Sequence, residues 1–65
     1  MPKYNIITEI NGTKNYVRRV RHGKYVTAVT MLAPNKTKAL DFKTKEKVTF
    51  VLRRMGIGYA IEVNK

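Results

Sequence analysis

Apolar and polar residues broadly alternate over "KYNIITEI" (3–10), "NYVRRVR" (15–21) and "KYVTAVTML" (24–32). Many of the apolar positions hold β-branched or aromatic residues. A period of two with such residues marks strands that turn one face toward a core. "KALDF" (38–42) reads as a short fourth strand. The period then changes. Val48, Val51, Leu52 and Met55 recur at spacings of three and four, which groups them on one stripe of a helix. "GYAIEV" (58–63) returns to the strand pattern. The expected architecture is α+β: an antiparallel meander of three to four strands, one helix and a final strand, in the order ββββαβ.

Turn and cap residues punctuate this pattern. Asn11-Gly12 is a strong hairpin signal, because both positions of a type I′ turn need positive φ. His22-Gly23 is a second tight-turn candidate, and Pro34-Asn35 starts a turn. Thr44 is suited to cap a helix, with Glu46 in the first turn and Arg53 and Arg54 in the last, the order the helix dipole favours. Gly56 supplies a C-cap in left-handed backbone. No repeat or linker divides the chain, so residues 1–65 form a single small domain.

Two-residue turns at 11–12 and 22–23 would pair Ile10 with Thr13, Glu9 with Lys14, Ile7 with Tyr16, Ile6 with Val17, Arg21 with Lys24 and Val20 with Tyr25. One face then collects Ile7, Tyr16, Val20, Tyr25, Val29 and Met31. The other collects Tyr4, Ile6, Ile10, Val17, Val26 and Ala28, with Arg19, Arg21 and Lys24. One helix covers one face. The first has fewer charges and is the expected one, which leaves the Ile6–Val17 face apolar in its middle, basic along one side and open.

Composition sharpens the picture. Fourteen Lys and Arg stand against four acids, a net charge of +10. Such a field draws polyanions: nucleic acid, an acidic protein face or anionic lipid. The hydrophobic fraction of 43% supports a folded core. A chain of this length buries only ~60% of its extended surface, so its stability margin is thin. With no Cys, no disulfide widens that margin. There is no apolar run long enough to span a membrane. "MPKYNIITEI" lacks the features of a signal peptide, so the expected location is the cytosol, with no membrane partner.

Catalytic chemistry finds little support. There is no Ser or Cys, and the single His, His22, falls in an expected turn. The acids Glu9, Asp41, Glu46 and Glu62 lie on separate elements, without paired-carboxylate or metal-ligand spacing. Gly56 and Gly58 follow the helix, whereas a phosphate cradle precedes one. The expectation is a non-enzyme with no metal and no cofactor.

Nucleic-acid binding fits the pattern better. Arg18, Arg19, Arg21 and Lys24 cluster around the second turn, and Tyr4 and Tyr25 lie on the same set of strands. The cations would neutralise phosphates and the rings would stack on bases. Alternating charge is equally the wet side of a sheet, and half-buried tyrosines are ordinary packing; both readings stand on these residues. Lys43, Lys45 and Lys47 flank the helix start and read chiefly as solubilising. Phe50 falls nearly opposite the buried stripe with Arg54 at i+4, either as a half-exposed packed ring or as an interface anchor. Ile6, Val17 and Val26 of the open face join Phe50 and Arg54 as candidate protein-interface residues.

The run "ALDFKTKEKV" followed by "YAIEV" resembles small phage and prophage proteins that carry an F-x-T-K-E helix start and a Y-x-I-E strand. "GKYVTAVTM" through "FKTKEKV" resembles the arm-type DNA-binding domains of tyrosine integrases, which place F-x-T-K-x-x-A between a three-stranded sheet and a helix. This chain adds a strand after the helix. The second resemblance implies a sheet docked in the major groove, with residues of the second and third strands at the DNA. The expected function is a small basic accessory protein of a phage or mobile element that binds nucleic acid, DNA ahead of RNA, through a basic sheet face. The alternative is a phage-encoded modulator that binds an acidic host protein in the host cytosol through the same face. A third reading is a homodimer that buries that face against its own copy.

Overall fold

Asn11 (φ 51°) and Gly12 (φ 80°) both adopt the left-handed backbone that a type I′ turn requires. They join strand β1 (Lys3–Ile10) to strand β2 (Thr13–His22). The turn sets the expected register: Ile10 faces Thr13, Glu9 faces Lys14 and Ile7 faces Tyr16. This computed structural model describes residues 2–64. Strand β3 (Thr27–Ala33) pairs with β2, and β4 (Tyr59–Asn64) pairs with β1, giving one antiparallel sheet in the order β3-β2-β1-β4. Helix α1 (Lys45–Met55) lies between β3 and β4 in the chain. The α+β architecture is the one the pattern predicts.

The second connection departs from expectation. His22 pairs with Thr27, Arg21 with Ala28 and Val20 with Val29, so residues 23–26 form a four-residue loop. Arg21 does not face Lys24, and Val20 does not face Tyr25. Neither His22 nor Gly23 has positive φ, so the pair cannot make a primed two-residue turn. A backbone bond from Gly23 N to Val26 O (2.7 Å) closes the loop instead.

β2 is also irregular in its middle. Its pairing with β3 shifts register between Val17 and Arg19 and again between Arg19 and Val20. Such a bulge reverses which side the following residues face. Val17 and Val20 therefore both pack into the same core, where strict alternation would have split them. Arg18 and Arg19 are left exposed between them.

Residues 38–42 do not form a full strand. Lys36–Lys38 make a single 3₁₀ turn. Beyond it, Phe42 exchanges two backbone bonds with Tyr4 (2.9 and 2.8 Å), and Leu40 N donates to Val17 O (3.0 Å). The β1–β2 ladder ends at Ile7–Tyr16; the 40–42 segment supplies backbone partners to both strands beyond that point. Asn5, itself buried, ties the segment down by donating from Nδ2 to Leu40 O (2.9 Å) and to Asp41 Oδ1 (2.8 Å).

The helix starts and stops as expected. Thr44 Oγ1 accepts from Lys47 N at 3.2 Å. Gly56 ends the helix at φ 89° and ψ −161°, a conformation that is essentially glycine's alone and more extended than the left-handed cap expected. Val48 and Val51 are buried, and Leu52 and Met55 pack beside them.

The face they cover is Ile6–Val17, opposite to the one expected. Ile6 and Val17 have no exposed surface. With Val48 and Val51 they make the core, joined by Tyr4, Val20, Val29, Leu32, Phe42, Tyr59 and Ile61 at its edge. The bulge explains the reversal: by turning Val20 and Val29 to the Ile6–Val17 side, it makes that side the more apolar one. Burial of apolar area then selects it for the helix. Ile6 and Val17 are core residues, unavailable to a partner or a second copy. The opposite side carries a polar cluster instead, in which Lys14 Nζ (2.7 Å) and the Tyr16 hydroxyl (2.9 Å) both donate to Glu62.

Candidate nucleic-acid interface

The bulge and the helix start together build a groove. One wall is the irregular half of β2, contributing Arg18, Arg19, Val20 and His22. The other is the side of α1 next to its buried stripe, contributing Lys47, Phe50 and Val51, with the cap residue Thr44 at its end. Residues 40–43 close one end. The space is about 940 Å³ and open to solvent. Thr44, Lys47 and Phe50 are three apart, so they stack along one helical side.

The charge in this groove is nearly all of one sign. Arg18, Arg19, Lys43 and Lys47 are exposed around it. The acid among the lining residues, Asp41, accepts from Asn5 Nδ2 and lies 3.9 Å from Lys3 Nζ. Among the described residues, the ion pairs are Lys3–Asp41 and Lys14–Glu62. Neither uses an arginine or a lysine of the groove. In Glu62, the Lys14 ammonium holds the carboxyl below its ordinary value, helped by the Tyr16 hydroxyl and opposed by partial burial. Lys14 is raised in turn, chiefly by its bond to Glu62.

Arg54 ties this groove to the 23–26 loop. Its guanidinium lies over the Phe50 ring, 5.6 Å from the centroid. From there Nη2 donates to Gly23 O (2.5 Å) and Val26 O (3.4 Å), and Nε donates to the Thr27 hydroxyl (3.1 Å). Thr27 is buried, and its oxygen also lies 3.0 Å from His22 Nδ1. A hydroxyl has one proton and two lone pairs. It can accept from Arg54 while donating to His22 when the imidazole proton sits on Nε2.

The residues singled out in the sequence separate into four groups: groove, loop, core edge and brace. Arg18 and Arg19 line the groove. Arg21 is exposed on β2 opposite Ala28, and Lys24, Tyr25 and Val26 form the exposed loop. Lys24 Nζ is 5.5 Å from the Tyr25 ring centroid. Tyr4 belongs elsewhere: it packs against the core and pairs with Phe42, so it does not join the arginines as a stacking ring. Phe50 is exposed in the groove as an anchor would be. Arg54 serves as a brace between helix and loop.

Lys43 and Lys47 join the site although their composition reads only as solubilising. The three-residue spacing of Thr44, Lys47 and Phe50 is the available signal for Lys47; Lys43 has only its place next to the cap residue. Nothing in the local sequence marks that the helix start docks beside Arg18 and Arg19.

Among the described residues, no cluster of three His, Asp or Glu side chains is placed to hold a metal. No helix among the described residues is long and apolar enough to cross a membrane. No protein-family model, curated protein or solved structure matches this chain, so the site has to be read from its own geometry.

Proposed function

We propose that this protein binds nucleic acid, with the phosphate backbone lying along the groove between α1 and the bulged half of β2. The observation that carries it is the convergence of Arg18 and Arg19 from the sheet with Lys43 and Lys47 from the helix start. Four exposed cations from separate elements face one open channel, and its acid is already engaged by Asn5 and Lys3. Cations held close together repel one another, and an approaching polyanion relieves that repulsion while releasing its own counterions. Arg21 and Lys24 extend the same positive field toward the loop.

The test is binding of labelled single- and double-stranded oligonucleotides across a salt series. Each phosphate contact contributes a slope of roughly −0.7 to −0.9 in log K against log salt. Four contacts predict a total near ~−3. Arg18→Gln with Arg19→Gln should flatten the slope by about half, and Lys43→Gln with Lys47→Gln should do the same. Absence of binding to any DNA or RNA at low salt overturns the proposal and leaves an acidic protein as the partner this charge would serve.

A further inference from the structure

We infer that the nucleic acid held in this groove is single-stranded, with bases stacked on Phe50 and on Tyr25. The inference rests on the nucleic-acid reading above and goes beyond it by naming the form of the ligand and the residues that select it.

Two rings stand in water beside the cationic channel. Phe50 is 62% exposed and Tyr25 79% exposed. Each has a cation over it, Arg54 for Phe50 and Lys24 for Tyr25. An aromatic face beside a positive charge suits a nucleotide, which offers a flat base and a phosphate a short distance apart.

The loop that carries Tyr25 is fixed rather than loose. The Gly23–Val26 backbone bond closes it, and Arg54 holds the carbonyls of both residues. Ordering a loop costs conformational entropy at every residue. Here that cost is met while the largest side chains of the loop stay in solvent. Their burial adds nothing to the isolated fold, and their fixed position suits a ligand that stacks on them. Arg54 is the common neighbour of the Phe50 ring and of this loop, so groove and loop form one continuous track.

A duplex keeps its bases stacked inside and presents sugar and phosphate outward. It would engage the cations and leave both rings in water. A single strand offers free base faces and uses both features at once. Charge complementarity along the channel and the two rings beside it therefore favour the single strand.

The experiment compares a pyrimidine oligonucleotide with a hairpin duplex of matched charge, using the wild type, Phe50→Leu and Tyr25→Leu. Leucine keeps apolar bulk and removes the π-face. Both positions are exposed, so the folded state should survive, with circular dichroism confirming it. The wild type should prefer the single strand. Each variant should lose roughly five- to a hundred-fold of single-strand affinity, with little loss on the duplex. The salt slope should stay that of the wild type, since the phosphate contacts remain. Equal affinity for both forms, with neutral ring variants and a normal salt slope, overturns the single-strand inference and leaves the electrostatic reading intact. No binding to either form removes the nucleic-acid reading itself.

Discussion

Asn11-Gly12 and Gly23–Val26 both reverse the chain between neighbouring antiparallel strands, but different forces hold them. The first turn is fixed by its own backbone: two residues with positive φ leave the strands one register to adopt. The second has one backbone bond of its own, from Gly23 N to Val26 O, and no positive φ at His22 or Gly23; the rest of its support comes from outside, from a guanidinium on α1 that reaches two of its carbonyls and the buried Thr27 hydroxyl. A turn set by backbone chemistry keeps its shape wherever it is placed. A turn set by a distant side chain keeps its shape only while the helix is docked. The second sits beside the proposed binding track, so its order, and with it the placing of Tyr25, depends on the core beneath.

Breaking the external brace should have the larger effect. Arg54→Ala removes hydrogen bonds from a charged donor and leaves Thr27 with one partner fewer. Hydrogen bonds to charged groups contribute about 1.5–3 kcal/mol each, and solvent around the partly exposed guanidinium places each of its three toward or below the low end. Beyond the global loss, amide exchange at residues 23–26 should accelerate, while exchange at residues 11–13 follows only the global stability. If the 23–26 amides keep their relative protection in the variant, the loop holds its own shape and the contrast between the two turns is wrong.

Breaking the internal constraint should cost less. Gly12 sits at φ 80°, and a Cβ there would meet nothing within 4 Å. Space is therefore not the obstacle, and only backbone strain is. Gly12→Ala should destabilise the protein by about 1–2 kcal/mol in a urea titration. The core should remain native, because the hairpin register is also held by β4 on the other side of β1. An unchanged midpoint would mean that the turn adapts and does not dictate the register.

The same contrast explains what could be read in the sequence. The four strands of the sheet, the helix and its Thr44 cap are legible because each rests on local periodicity or cap chemistry; residues 38–42, read as a further strand, make only one bridge to Tyr4. The first hairpin is legible too, down to the Ile7–Tyr16 pair. The second register is not, because its cause, the burial of Thr27 against Arg54, lies on another element. The bulge between Val17 and Val20 has no signature of its own, since "VRRV" also reads as an uninterrupted strand with its two valines on opposite faces. Strict alternation without it leaves Ile6 and Val17 on an open face, whereas they are the centre of the core. The cations of the site are legible one by one; that Arg18 and Arg19 share a groove with Lys43 and Lys47 is not, because the two pairs lie on separate elements that only the docking of α1 brings together.

A last difference between the two halves is electrostatic. The Arg54 brace holds two backbone carbonyls and a hydroxyl, with no carboxylate among its partners. The first hairpin has a long-range clamp of another kind: Lys14 and Tyr16 on β2 reach across β1 to Glu62 on β4. That clamp titrates at both ends. The Glu62 carboxyl is held below its ordinary value when folded, so the unfolded chain takes up a proton there first as pH falls. Its contribution is complete above the ordinary carboxylate range and is lost as pH drops through the lower, folded value. The Lys14 ammonium is held above its ordinary value, so its contribution is complete below the ordinary lysine range and is lost as pH climbs through the higher, folded value. Between these limits the clamp should be insensitive to pH. Both side chains are partly in solvent, which makes this the smallest of the expected effects. Urea midpoints of wild type and Glu62→Gln should differ at neutral pH and converge as the solution becomes acidic. Arg54→Ala should keep its full deficit over the same range. A Glu62→Gln deficit that persists in acid would show that the side chain acts through packing and hydrogen bonding alone.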